Sequence, residues 1–127
     1  MTTKNLFTFA GIIALIFGLP LIFNPDFVNK TFLVDSTMSA GTAFSFRGYG
    51  ILLSSVGIGL LSARNSAPST GNRGLLLIIV TGATVGLINS IYMAVTGLTT
   101  NSNWLIVILL AIEAIWGITI FAKGKTV

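Results

Sequence analysis

The sequence predicts an all-α integral membrane protein, a four-helix bundle with both termini on the cytoplasmic side. Three observations carry that expectation. Four long apolar stretches dominate the chain, charged residues make up only 8% of it, and the basic ones gather on one side of the implied membrane. A soluble domain carries roughly a quarter charged residues, because water must solvate its surface. Seven basic and three acidic side chains on 127 residues cannot cover a water-facing sphere. With a mean hydropathy of +0.95, the solvent for most of this chain is lipid.

The apolar stretches are residues 6–23, 44–63, 74–96 and 103–122 of a single domain. Each is close to the ~20 residues needed to cross a hydrocarbon core of about 30 Å. Backbone groups in lipid must be satisfied internally, which leaves helices or a closed barrel. Continuous apolar runs lack the alternation of barrel strands, so helices are expected.

Lys4 ahead of the first run imitates a signal peptide. The run is longer than a signal core of about 7–15 residues, and residues 21–27 offer no small-x-small cleavage site, so a retained helix is expected. Pro20 falls in its last turn, where it frees the Ile16 carbonyl and predicts a bend. In the connector 24–43, Asn24-Pro25 reads as an N-cap followed by proline at the first helical position. Phe27, Val28 and Phe32 then place a short helix in the membrane interface. Residues 64–73 (RNSAPSTGNR) read as a solvated loop, and residues 97–102 as a short uncharged turn.

Orientation follows from lysine and arginine in the short loops. Lys4, Arg64, Arg73, Lys123 and Lys125 fall on one side and Lys30 alone on the other, which puts both termini in the cytoplasm. Asn29-Lys30-Thr31 lies outside and matches a glycosylation acceptor. Such tripeptides arise often by chance, and no modification is expected there.

Composition excludes most chemistry. The chain has no cysteine and no histidine, which removes the usual ligands of zinc and iron–sulfur sites and the means to build a Ser-His-Asp or Cys-His nucleophile. No catalytic residue, metal site or cofactor is assigned. The net charge of +4 raises nucleic-acid binding, but the basic residues stand singly rather than in a stripe, and no nucleic-acid partner is expected.

Ionisable groups inside spans are costly and usually face a bundle interior or water. Arg47 and Glu113 are the two here. Asn89 and Tyr92 lie at neighbouring depths, and helical spacing puts Arg47, Gly50, Ser54 and Ile58 on one side of the second span. The same spacing groups Gly82, Gly86, Asn89 and Met93, and then Ile106, Leu109, Glu113 and Gly117. Arg47, Asn89, Tyr92 and Glu113 thus form a candidate polar cluster with two open readings. One is a ligand or proton site; the other is a structural ion pair locking helices together. Gly82-x-x-x-Gly86 and the Ala10, Ala14, Gly18 series are small-residue stripes that permit close helix packing, within the chain or between copies. Trp104 sits where an interfacial aromatic belt belongs.

Phe44–Arg64 as FSFRGYGILLSSVGIGLLSAR, the following RGLLLIIV, the Asn24-Pro25-Asp26-Phe27 break, and Glu113 with Trp116 in the last span together resemble the DoxX-like superfamily of small four-helix bacterial membrane proteins. The resemblance covers nearly the whole chain and places Arg47-Gly48 at the family's arginine-glycine start of the second helix. It implies a four-helix bundle in a bacterial membrane with both termini on the cytoplasmic side. It also implies association with quinone-linked respiratory complexes or with assembly of other membrane proteins. Redox-active thiols are absent from this chain, so no direct electron-transfer role follows.

The expected function is an accessory, assembly or structural subunit that contacts other membrane proteins or further copies of itself. A pocket for a quinone- or lipid-type amphiphile between the second, third and fourth spans is the alternative, and a small proton-coupled exporter is a third.

Overall fold

The computed structural model describes residues 2–123, all of whose regular elements are helical. They are α1 (Thr3–Phe23), α2 (Pro25–Phe32), α3 (Ala40–Ala63), α4 (Thr70–Val95) and α5 (Asn103–Ala122). All but α2 are long and apolar enough to cross a membrane. The basic residue Lys125 of the orientation argument lies outside the described residues.

Helices α3 and α4 begin four residues earlier than their apolar runs do, and local capping explains why. The Ser39 hydroxyl accepts from the Thr42 amide at 3.0 Å, so α3 starts at Ala40 rather than at residue 44. Ser69 does the same for Asn72 at 3.2 Å, and the polar turn from Thr70 to Arg73 is helix, not loop. Hydropathy marks where lipid begins, whereas a cap marks where the hydrogen-bond ladder begins. The remaining loop is held by the buried Asn72, whose carboxamide accepts from Ser66 Oγ at 2.9 Å and donates to the Ala67 carbonyl at 3.1 Å. Asn24 caps α2 as its sequence predicts, accepting from the Phe27 amide at 3.2 Å. Helix α1 continues through Pro20 to Phe23.

The long helices pack as two antiparallel pairs, α1 with α3 and α4 with α5, and α1 also touches α4 and α5. The two pairs meet at the end that holds the start of α1 and the end of α5. There Leu6, Phe7 and Ala10 bury themselves against Leu60 of α3, Leu76 and Ile79 of α4, and Ile120 of α5. Thr3 and Ala122 therefore lie at the same end of the bundle.

At the far end, backbone closes the structure. Helix α4 terminates in a Schellman turn: Leu98 N–H donates to the Met93 carbonyl at 3.0 Å and Gly97 N–H to Ala94 at 3.2 Å. Gly97 takes φ +73, a left-handed conformation that glycine tolerates best. The chain then pairs with the segment after α2, through Val34 N–H to the Leu98 carbonyl at 3.2 Å and Thr100 N–H to Phe32 at 2.9 Å. The Thr100 hydroxyl also donates to the Thr31 carbonyl. Asn103, almost fully buried, donates to the Ser90 carbonyl at 2.9 Å and fixes the start of α5 on α4.

Candidate functional site

The closest packing in the molecule is between α1 and α3. A Cβ built on Gly50 would stand 2.7 Å from the Gly18 carbonyl oxygen, and one on Gly57 2.9 Å from that of Gly11. These are backbone-to-backbone approaches that only small residues allow. Ala14 and Gly18 are buried in this seam, with Gly11 and Ala10 on the α1 side and Gly50, Ser54 and Gly57 on the α3 side. The α1 stripe is the one its sequence spacing indicates. On α3 the contact follows Gly50, Ser54 and Gly57, while Arg47 and Ile58, grouped with them by spacing alone, are exposed.

The second small-residue stripe behaves differently. Gly82 has nothing within 4 Å of its Cβ position, and Gly86 meets only the Leu110 side chain, at 3.3 Å. Ile78, Gly82, Val85, Asn89 and Tyr92 are all exposed on α4. Their spacing of four, three, four and three residues is that of a helix–helix seam. Among the described residues no hydrogen bond reaches the Asn89 carboxamide.

Arg47 and Glu113 are not brought together. Arg47 is exposed on α3, about 10 Å along the helix from Ala40, and α3 packs on α1. Glu113 is partly buried on α5, whose main partner is α4. Among the described residues the ion pair is Lys30 with Asp26, at 2.6 Å within α2. The four members of the candidate polar cluster thus divide between the pairs: Arg47 on one, and Asn89, Tyr92 and Glu113 on the other.

In the connector, the Thr37 hydroxyl at 2.7 Å and the Thr37 amide at 3.1 Å both donate to Asp35. These bonds favour the ionised carboxylate and hold Asp35 below its ordinary range. Their contribution is present at neutral pH and disappears as pH falls through the lowered value.

On the α3 half of the seam Gly57, on the α1 half Gly11, and at the start of α5 the role of Asn103 were not singled out by sequence reasoning. Their signal is an asparagine at a helix start and glycines seven residues apart, visible only once the facing helix is known. No family model, curated protein or solved structure matches this chain.

Proposed function

We propose that the chain is an accessory or assembly subunit of a membrane complex, which meets its partner through the free face of α4. The observation that carries this reading is the exposed seam Ile78, Gly82, Val85, Asn89 and Tyr92. An amide without a hydrogen-bond partner in hydrocarbon costs about 4–8 kcal/mol. A facing helix that offers a polar group relieves that cost, and glycine at position 82 lets it approach closely. The 4–3 spacing suits a left-handed crossing with one further helix. Bilayer insertion, a bacterial inner-membrane location, cytoplasmic termini and an α2 lying in the interface complete the proposal, supported by the basic bias and the DoxX-like resemblance. Separation of Arg47 from Asn89, Tyr92 and Glu113 favours contact with a partner over an amphiphile pocket or proton-coupled exporter within one chain.

A photo-crosslinking residue at Val85 tests this in intact membranes, with Ile58 on α3 as the control. Position 85 should give a discrete protein adduct that Gly82→Leu removes, and position 58 should give lipid adducts. An adduct of twice 13.4 kDa identifies a second copy as the partner. Lipid adducts alone at both positions would refute the reading.

A further inference from the structure

The end of the bundle that gathers the helix termini carries a charge imbalance. Lys4 opens α1, Arg64 closes α3, Arg73 lies in the first turn of α4 and Lys123 caps α5. The chain has three acidic side chains, and none belongs to this end. Asp26 pairs with Lys30, Asp35 bonds to Thr37 in the far connector, and Glu113 lies within α5. Arg73 rests over the Phe121 ring at 5.3 Å. Lys4 and Arg64 instead border an open depression of about 580 Å³ between the start of α1 and the end of α3.

The depression is polar at its mouth and apolar below. Lys4, Asn5, Arg64 and Asn65 form the rim, and Phe9 and Ile12 continue it down α1. From Lys4 to Ile12 the helix descends about 12 Å, from headgroup depth into the acyl region. The Phe9 ring leads on to Trp116, with ring centroids 6.0 Å apart. Two cations above an apolar wall match a phosphodiester with an acyl chain hanging from it. A free anion would leave the Phe9–Ile12 wall unused.

We infer that this depression is a binding site for one anionic phospholipid, its phosphate held by Lys4 and Arg64 and an acyl chain lying along Phe9 and Ile12. Lipid basicity contacts of this kind are individually modest, but two at one rim give a clear preference over zwitterionic lipid. The inference does not depend on the α4 face and survives or fails separately from it.

The test uses the full chain with Trp104→Phe, which leaves Trp116 as the fluorescent indole. It is reconstituted in phosphatidylcholine vesicles containing acyl-brominated phosphatidylglycerol or acyl-brominated phosphatidylcholine. Quenching by the anionic lipid should occur with an apparent affinity on the order of tenfold higher. Lys4→Gln with Arg64→Gln should abolish the preference, Lys4→Arg with Arg64→Lys should keep it, and Lys123→Gln should leave it unchanged. Asn65→Glu, which places a carboxylate on the rim while both bases remain, should also abolish it and serves if the double variant fails to fold. Equal quenching by both lipids in the parent overturns the site. So does an equal loss in Lys123→Gln, which would mean bulk surface charge. Loss of the preference to inorganic phosphate, but not to chloride of equal ionic strength, would assign the depression to a free anion instead.

Discussion

Two small-residue stripes run through this molecule, and they meet opposite fates. On α1 the stripe is filled by α3, backbone against backbone, with Gly18 and Gly50 in mutual contact. On α4 the stripe is open at Gly82 and looks out of the chain. The residue types are similar, so composition does not decide the outcome. The difference is the facing surface: α1 finds a helix with its own small residues in antiphase, whereas α5 presents Leu110 to Gly86. Lipid is as apolar as leucine, so close approach rewards only those surfaces that fit.

The largest effect should come from filling the closed seam. Gly50→Ala must push a methyl against the Gly18 carbonyl oxygen, 2.7 Å from the Cβ position, and against Leu21 Cβ at 2.8 Å. Neither atom is the free end of a flexible side chain, so a loss of about 1–3 kcal/mol is expected. Gly82→Ala meets open space in a helix interior and should not destabilise the monomer, alanine's helix propensity favouring it by up to about 1 kcal/mol. Unfolding in mixed micelles, followed by circular dichroism, measures both. Equal losses would erase the distinction between the stripes.

A smaller effect sharpens the contrast between the pairs. The α4–α5 pair is fixed less by close backbone approach than by side chains such as Asn103 on the Ser90 carbonyl. Asn103→Ala should cost about 0.5–1.5 kcal/mol, the net worth of one hydrogen bond, since the Ser90 carbonyl lies within the α4 ladder and loses only the carboxamide donor. The loss should appear as faster amide exchange in the first turn of α5 while the α1–α3 seam stays protected. Uniform loss of protection would show that the pairs do not act as separate units.

The smallest effect is an expected absence of coupling. Arg47 and Glu113 lie on different pairs, so neutralising both should cost the sum of the single changes, within about 0.3–0.5 kcal/mol. A coupling well beyond that range in a double-mutant cycle would place the two side chains in contact.

Much of this architecture was legible in the residues. Each span is an apolar run, and Asn24-Pro25 announced α2 through a capping rule that needs no tertiary context. The first turns of α3 and α4 escaped because Ser39 and Ser69 start helices in polar sequence that resembles loop. Which face of α3 is buried was half legible: Gly50 and Ser54 stand out, but Arg47 and Ile58 share their side by spacing alone. In water a polar face would have resolved the ambiguity. In lipid the outward residues Ile51, Leu52 and Ile58 are as apolar as any core. The pairing of residues 31–34 with 98–100 left no trace in the sequence, because its bonds depend mainly on backbone groups rather than side-chain type.

That far-end pairing also bears on the order in which the chain assembles. Each long-helix pair is drawn from neighbouring spans, so it can form as those spans enter the bilayer. The clasp joins Thr31 to Thr100 across 69 positions and closes a loop that contains two membrane crossings. Its closure entropy is met only after both crossings are in place. The clasp is therefore expected to form last and open first, so the amides of Val34 and Thr100 should exchange ahead of those in the helices they join. A chain interrupted after α3 would hold one finished hairpin and a waiting strand of backbone, with nothing yet to latch onto.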